Sequence, residues 1–297
     1  MKKDKISIYR ILAAVMAGIA CIAACILIFI FDRNGLSLKE SNLSKSDYVR
    51  FFDVGQAESI LIKSGNYTAL IDTGTAEMAN NLCEDLQYCG VEKIDVLILT
   101  HLHDDHTGGV DKITQIYKVD NLILPTVSIE SEELGAAQLA ISRVKEGDGE
   151  IFQAVSGMNF NVGNFELTVL GCFDRLKSEN NRSVFVVAKN KDLKFLFTGD
   201  AEKEAEDALL SENLNLKCNV LKVGHHGSSS SSTQEFVKAV SPEYAIISVG
   251  EDNIYGHPNN QVISLFENMN IKILRTDLHG NITLYIENGK INPHTER

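Results

Sequence analysis

Three histidines and two aspartates fall within six positions of the segment Thr100-His101-Leu102-His103-Asp104-Asp105-His106-Thr107-Gly108-Gly109, directly after the apolar run Val96-Leu97-Ile98-Leu99. Packing does not account for them. Imidazole is a poor core group, and clustered carboxylates repel one another unless a cation sits among them. Mixed nitrogen and oxygen donors of this kind suit a divalent transition metal, Zn²⁺ or Mn²⁺. A polar surface loop is the bland alternative, and the density of ligand-type groups argues against it.

Two later segments also run from a strand-like stretch into polar groups. Phe195-Leu196-Phe197-Thr198-Gly199-Asp200-Ala201-Glu202 places Asp200 at a strand end. Alone, its Thr-Gly-Asp is explained equally well by a turn or a helix N-cap. Lys222-Val223-Gly224-His225-His226-Gly227-Ser228 carries two histidines between glycines, where backbone can approach a ligand, so His225 and His226 point to metal or substrate. His257 follows in Tyr255-Gly256-His257-Pro258. A lone histidine is usually structural.

The elements that must position these groups read as short strands and strand–helix units. Residues 49–54, 59–62 and 67–71 are β-rich and separated by Gly55 and by the hairpin signal Gly65-Asn66. Residues 94–99 form a continuous apolar run, as in a strand covered on both faces. Helices are expected over 77–88, 110–117, 131–145, 201–210, 234–240 and 261–269. Further strands are expected over 165–170, 183–188, 193–197, 220–223, 244–249, 271–274 and 282–285. Two such halves suggest two sheets packed face to face with helices outside, an α/β layered domain over 48–297.

Upstream, residues 11–31 form an uncharged apolar run of 21, enough at ~1.5 Å per residue for a ~30 Å hydrocarbon core. The basic flank at residues 1–10 precedes it and the polar stretch 32–47 follows as a linker. A cleaved signal peptide would be shorter and end in small residues, whereas this run ends in Ile-Phe-Ile-Phe. A lipoprotein signal at Ile22-Ala23-Ala24-Cys25 is opposed by six further apolar residues. A single-pass transmembrane signal anchor fits best, with the body extracytoplasmic by the positive-inside rule. Of six cysteines, two lie in the apolar run and none of the rest suggests a disulfide framework. The net charge of −12 is uneven: the first ten residues carry +3, so the remainder carries −15. An acidic body counts against tight non-specific nucleic-acid binding, though not against a local basic groove.

The His101-x-His103-x-Asp105-His106 spacing resembles the HxHxDH signature of the metallo-β-lactamase superfamily. With Asp53-Val54-Gly55-Gln56, Asp72-Thr73-Gly74, Asp200, His225-His226, Tyr255-Gly256-His257-Pro258 and Arg275-Thr276-Asp277, residues 48–297 resemble the C-terminal hydrolase domain of the ComEC competence family. The resemblance implies an αββα sandwich and a pair of divalent ions. His101 and His103 would hold one ion, Asp105 and His106 the other, with Asp200 bridging and Asp104 at a variable position. It also implies hydrolysis of a phosphodiester, in DNA or in an envelope polymer such as teichoic acid, with His257 and Arg182 stabilising charge on the substrate oxygen. Carboxylic ester, lactone or β-lactam hydrolysis, or a non-catalytic metal-binding surface protein, are the other readings. Two departures stand out. Residues 179–183 (Glu-Asn-Asn-Arg-Ser) lack the histidine usual before the bridging aspartate, so His225 or His226 is expected to complete the first ion's shell. The multi-helix channel and oligonucleotide-binding domain of that family have no counterpart here, so its transport role is not expected to carry over.

Overall fold

A computed structural model describes residues 46–126 and 134–297. The expected anchor and basic flank, and nearly all of the linker, lie outside the described residues. Among the described residues no helix is long and apolar enough to cross a membrane.

In chain order the strands are β1 (Asp47–Phe51), β2 (Ile60–Ser64), β3 (Tyr67–Ile71), β4 (Ile94–Ile98), β5 (Val119–Leu124), β6 (Glu150–Gln153) and β7 (Asn159–Val162). Then come β8 (Phe165–Gly171), β9 (Phe185–Asn190), β10 (Leu193–Phe197), β11 (Val220–Lys222), β12 (Tyr244–Ile247), β13 (Lys272–Arg275), β14 (Ile282–Glu287) and β15 (Lys290–Thr295). They form two mixed sheets, one in the order β15-β14-β1-β2-β3-β4-β5-β6 and one in the order β13-β12-β11-β10-β9-β8-β7. In each sheet the pairing is antiparallel in one part and parallel in the other: β3 to β6 run parallel in the first, β10 to β13 in the second.

The continuous apolar strands are explained by burial on both faces. Phe195, Phe197, Val220 and Ile246 point into the core between the sheets, against Val49, Phe51, Ile62, Ile71 and Ile98. Their neighbours Leu196, Leu221, Ala245 and Ile247 point the other way. There they meet Leu209 of the helix Lys203–Ser211, Phe236 and Val240 of Gln234–Val240, and Phe266 of Asn260–Asn268. On the first sheet, the helix Ala137–Glu146 packs on β5 and β6, and Val110–Ile116 packs between it and Ala79–Tyr88.

Most expected elements are present with ends moved by one to three residues. Asp47, assigned to the linker by composition, is the first residue of β1, and its carboxylate accepts from Ser64 Oγ at 2.7 Å and Asn190 Nδ2 at 2.9 Å. The expected helix at 131–145 begins at Ala137, with 131–133 outside the described residues. Four strands went unread: β5, β6, β7 and β15. Three of them are sheet edges, where a one-sided environment leaves little apolar pattern, and β15 even carries Pro293, tolerated because an edge strand needs fewer ladder donors.

Candidate metal centre

The site is built from the carboxyl ends of parallel strands, the usual place for ligands in sheets of this kind. Asp72 follows β3 in a left-handed conformation (φ 59°) and is fully buried. Its carboxylate accepts the Thr100 backbone N–H at 2.7 Å and the Thr100 hydroxyl at 2.6 Å, and it lies 2.7 Å from His106 Nδ1. The segment after β4 is thereby clasped to the end of β3. Thr73 completes the clasp, donating from its N–H and its hydroxyl to the His106 carbonyl at 2.7 and 3.0 Å. Gly109 permits it, because a Cβ there would lie 2.3 Å from the Thr73 carbonyl oxygen.

From the second sheet, β10 delivers Asp200, whose N–H donates to Ser183 Oγ at 3.1 Å. After β11, His225 and His226 both adopt left-handed backbone (φ 48° and 52°), an arrangement costly for non-glycine residues and found where function demands it. It aims the two rings apart: His226 is buried, while His225 is half-buried on the cleft wall.

The ring nitrogens then sort themselves by their partners. His106 Nδ1 faces the Asp72 carboxylate, and His226 Nδ1 faces the Ser248 carbonyl at 2.8 Å. His225 Nδ1 faces Glu202 Oε1 at 3.2 Å. His101 Nδ1 lies 3.2 Å from Thr100 Oγ1, whose own proton goes to Asp72. In the His101, His106 and His226 rings Nδ1–H donates to an acceptor, which leaves the Nε2 lone pair free for a cation, the usual outer-shell arrangement of metal-binding histidines. Those lone pairs converge. His106 Nε2 is 3.2 Å from Asp200 Oδ1, and His226 Nε2 is 3.2 Å from Asp105 Oδ2 and 3.6 Å from Asp200 Oδ2. Asp105, His106, Asp200 and His226 offer four ligand atoms within 4.8 Å of one another. Beside them, His101 Nε2 and His103 Nδ1 are 3.1 Å apart, close to the ~3.3 Å expected for two nitrogens on one tetrahedral Zn²⁺. His101 Nε2 and His225 Nε2 lie 4.0 and 3.9 Å from the same Asp200 Oδ2.

Charge and burial fit a cation. Burial raises the Asp200 and Asp105 carboxyls, but the neighbouring imidazoles of His106 and His226 outweigh it, leaving Asp200 well below its usual range and Asp105 at about 2. Burial lowers His106 and His226, and the carboxylates around them outweigh that in turn and raise both. Among the buried polar atoms without a hydrogen bond are His106 Nε2 and Asp200 Oδ1, which face each other 3.2 Å apart within the four-residue group. The donor set therefore fits a divalent metal.

A cleft of about 420 Å³ opens onto the cluster. His103, Asp105, Asp200, His225, His226 and His257 line it, while His101 and His106 are buried behind. Exposed Asp104 lines it too, outside the four-residue group. Of the two candidates for the missing histidine, His226 sits with Asp105 and His106, so His225, whose Nε2 is 3.9 Å from Asp200 Oδ2, is the one left. Arg182, expected at the substrate oxygen, is not among the lining residues; that segment contributes Asn180, whose Nδ2 is 3.5 Å from both ring nitrogens of His225. Arg182 ends the turn Asn180–Arg182, where its carbonyl accepts from the Cys172 thiol. Nothing in the sequence assigns a role to Glu202, Asn180, Tyr255, Asp72 or Gln56. Glu202 follows Asp200 by two, which is the only local signal it had.

A family model for the metallo-beta-lactamase superfamily matches residues 52–251. The ComE operon protein 3 of Bacillus subtilis (strain 168) is 32% identical over 299 residues, which cover 92% of this chain and 36% of that protein. Competence protein ComA of Neisseria gonorrhoeae is 32% identical over 246 residues, 82% of this chain and 33% of that protein. The chain thus spans about a third of the length of these relatives. Among solved structures, the metallo-beta-lactamase fold protein YhfI from Bacillus subtilis aligns with a TM-score of 0.54 at 12% identity, covering 80% of this chain and 99% of that one, a likeness of fold alone.

Proposed function

The chain belongs to the metallo-β-lactamase superfamily and is homologous over most of its length to ComE operon protein 3 and competence protein ComA, and from that premise we propose that it cleaves phosphodiesters with two divalent transition-metal ions, Zn²⁺ or Mn²⁺, at an extracytoplasmic membrane surface. The observation that carries the reading is the group Asp105, His106, Asp200 and His226, half-buried at Asp105 and buried at the other three, whose four ligand atoms lie within 4.8 Å of one another. His101, His103 and His225 hold one ion, Asp105, His106 and His226 the other, and Asp200 serves both. Such a pair supplies Lewis acidity and a nucleophile at neutral pH.

The chain's own residues do the rest. Asp72 and the Ser248 carbonyl hold His106 and His226 in the ligand tautomer. His257, half-buried in the cleft lining, donates a hydrogen bond to the substrate oxygen that gains charge. Competence relatives support a nucleic-acid phosphodiester over other esters, and because a net charge of −12 gives no long-range attraction to such a polyanion, the encounter rests on short-range contacts in the cleft. The uncharged run at residues 11–31 supports the membrane tether.

The test is metal content together with rates on bis-(p-nitrophenyl) phosphate, DNA, phosphorylcholine esters and lactones. Close to two ions per chain, with phosphodiesters turned over fastest, is the expected result. Lactone turnover without phosphodiester turnover would end the phosphodiester reading and leave the metal centre intact.

A further inference from the structure

We infer that Gln56 is a positioning residue that fixes His257 in the Nε2–H tautomer, making His257 a hydrogen-bond donor to the substrate and not a metal ligand. The inference rests on the reading of this cleft as a hydrolase site and adds to it how one of its groups is set.

The argument starts at Gly250. Its backbone N–H is a donor and nothing else, and it donates to Gln56 Oε1 at 3.1 Å. That contact decides which way round the Gln56 amide lies, a choice otherwise open for any glutamine. Turning the amide over would set its NH₂ against the Gly250 N–H, donor against donor. With the oxygen on Gly250, the Gln56 NH₂ is the group 3.4 Å from His257 Nδ1. A proton on Nδ1 would again oppose two donors. Nδ1 therefore accepts, and in the neutral ring the proton sits on Nε2.

The two loops that carry Gln56 and Gly250 are held in close contact. A Cβ at Gly250 would lie 2.6 Å from Gln56 N and 2.9 Å from Gly55 C, so only glycine allows this approach. His257 is fixed from the other side as well. Asn253 accepts its N–H at 3.0 Å and donates to its carbonyl at 2.7 Å, and the Tyr255 ring stacks on it with centroids 5.8 Å apart.

The contrast with the cluster is what gives the tautomer its meaning. His101, His106 and His226 each present Nδ1 to an acceptor, which frees Nε2 for a cation. His257 presents Nδ1 to a donor, so its Nε2 carries a proton and has no lone pair to give. The same cleft thus holds histidines set for two different tasks, told apart by what stands behind each ring.

The test reads the tautomer directly. In the Zn²⁺-loaded and metal-free chain with ¹⁵N-labelled imidazoles, long-range ¹H–¹⁵N correlation should show His257, identified by its absence in His257→Gln, protonated at Nε2 and bare at Nδ1. Gln56→Glu keeps an oxygen for Gly250 but offers Nδ1 an acceptor, so the proton should move from Nε2 to Nδ1. In parallel, kcat should fall on the order of 10²-fold, the scale for loss of one such donor, with KM and Zn²⁺ content unchanged. An Nδ1–H tautomer in the unmodified chain, or metal coupling to His257 Nε2 after ¹¹³Cd²⁺ loading, overturns the inference. So does a Gln56→Glu spectrum identical to that of the unmodified chain. The tautomer is read without turnover, so a wrong substrate shows separately, as an Nε2–H ring in a protein inactive on phosphodiesters.

Discussion

The Glu58 carboxylate and the Lys222 ammonium are in direct contact with neither side chain exposed, and they tie the loop after β1 to the end of β11 beside the metal centre. Lys222 also donates to the Val223 carbonyl at 2.9 Å, and the Glu58 backbone takes part in the ligand loops, its N–H donating to the Asp105 carbonyl at 3.0 Å. Removing one partner of a buried pair strands the other charge, at a cost of ~3–5 kcal/mol, whereas an apolar pair of similar volume can be neutral. Lys222→Met alone should therefore cost most of that in denaturant unfolding, and Glu58→Leu with Lys222→Met should recover a large part. A double variant as unstable as the sum of the singles would show that the two side chains act independently.

Asp200→Asn should lower metal content and activity together, because one carboxylate stands within 4.0 Å of ligand nitrogens on both sides of the cluster. Asp104→Ala should do far less, since Asp104 is exposed and outside the four-residue group. Elemental analysis of the dialysed proteins reads both, and equal losses would mean that the wrong aspartate of the loop has been assigned. Chelation should also lower the melting temperature, because a site that binds only the folded chain stabilises it.

The clustered histidines and aspartates, and the strands that carry them, were legible for a physical reason. Groups that desolvate badly, such as His101, Asp105 and Asp200, stand out when they end apolar strands like β4 and β10. What supports them was not legible, because outer partners come from distant segments and look ordinary in sequence. Asp72 meets His106 across 34 positions and Gln56 meets His257 across 201. Arg182 was singled out as a cation near the ligand segments, but the turn at 180–182 turns Asn180 to the cleft instead. Likewise β6 and β7 have only one neighbour each in their sheets, so their sequences carry little of the alternation that marks β8.

Glu206 offers a pH dependence away from the metal. It is buried and accepts the N–H groups of Ser232 at 2.6 Å and Thr233 at 2.8 Å, at the start of the helix Gln234–Val240. Burial raises its carboxyl above 4.5 despite those bonds. The folded state then holds this proton more tightly than the unfolded chain, so the group's contribution is full below pH 4.5 and declines as pH rises through the raised folded value. Glu206→Gln cannot titrate and loses one of the two bonds, a cost of ~1–3 kcal/mol. Its deficit against the unmodified chain should be largest in acid and shrink toward neutral pH. Thermal melts across that range decide it, and a deficit that grows with pH would contradict the assignment.

His225 tests how this chain replaces a missing ligand. The segment before Asp200 presents Asn180 to the cleft where a histidine is usual, which leaves His101, His103 and Asp200 as the nearby donors for the first ion. His225 Nε2 stands as close to Asp200 Oδ2 as His101 Nε2 does, and its Nδ1 lies 3.2 Å from the Glu202 carboxylate. Its left-handed backbone is a strain that placing the ring there would explain. His225→Ala should accordingly lose one ion and keep the other, which Asp105, His106 and His226 still hold. His226→Ala should do the reverse. Glu202→Gln keeps the ring but weakens its orientation, so it should reduce affinity for the same ion as His225→Ala by ~10–100-fold in a chelator competition. If His225→Ala retains both ions with unchanged affinity, His225 is a cleft residue that meets substrate, and the first ion is completed by something other than this imidazole.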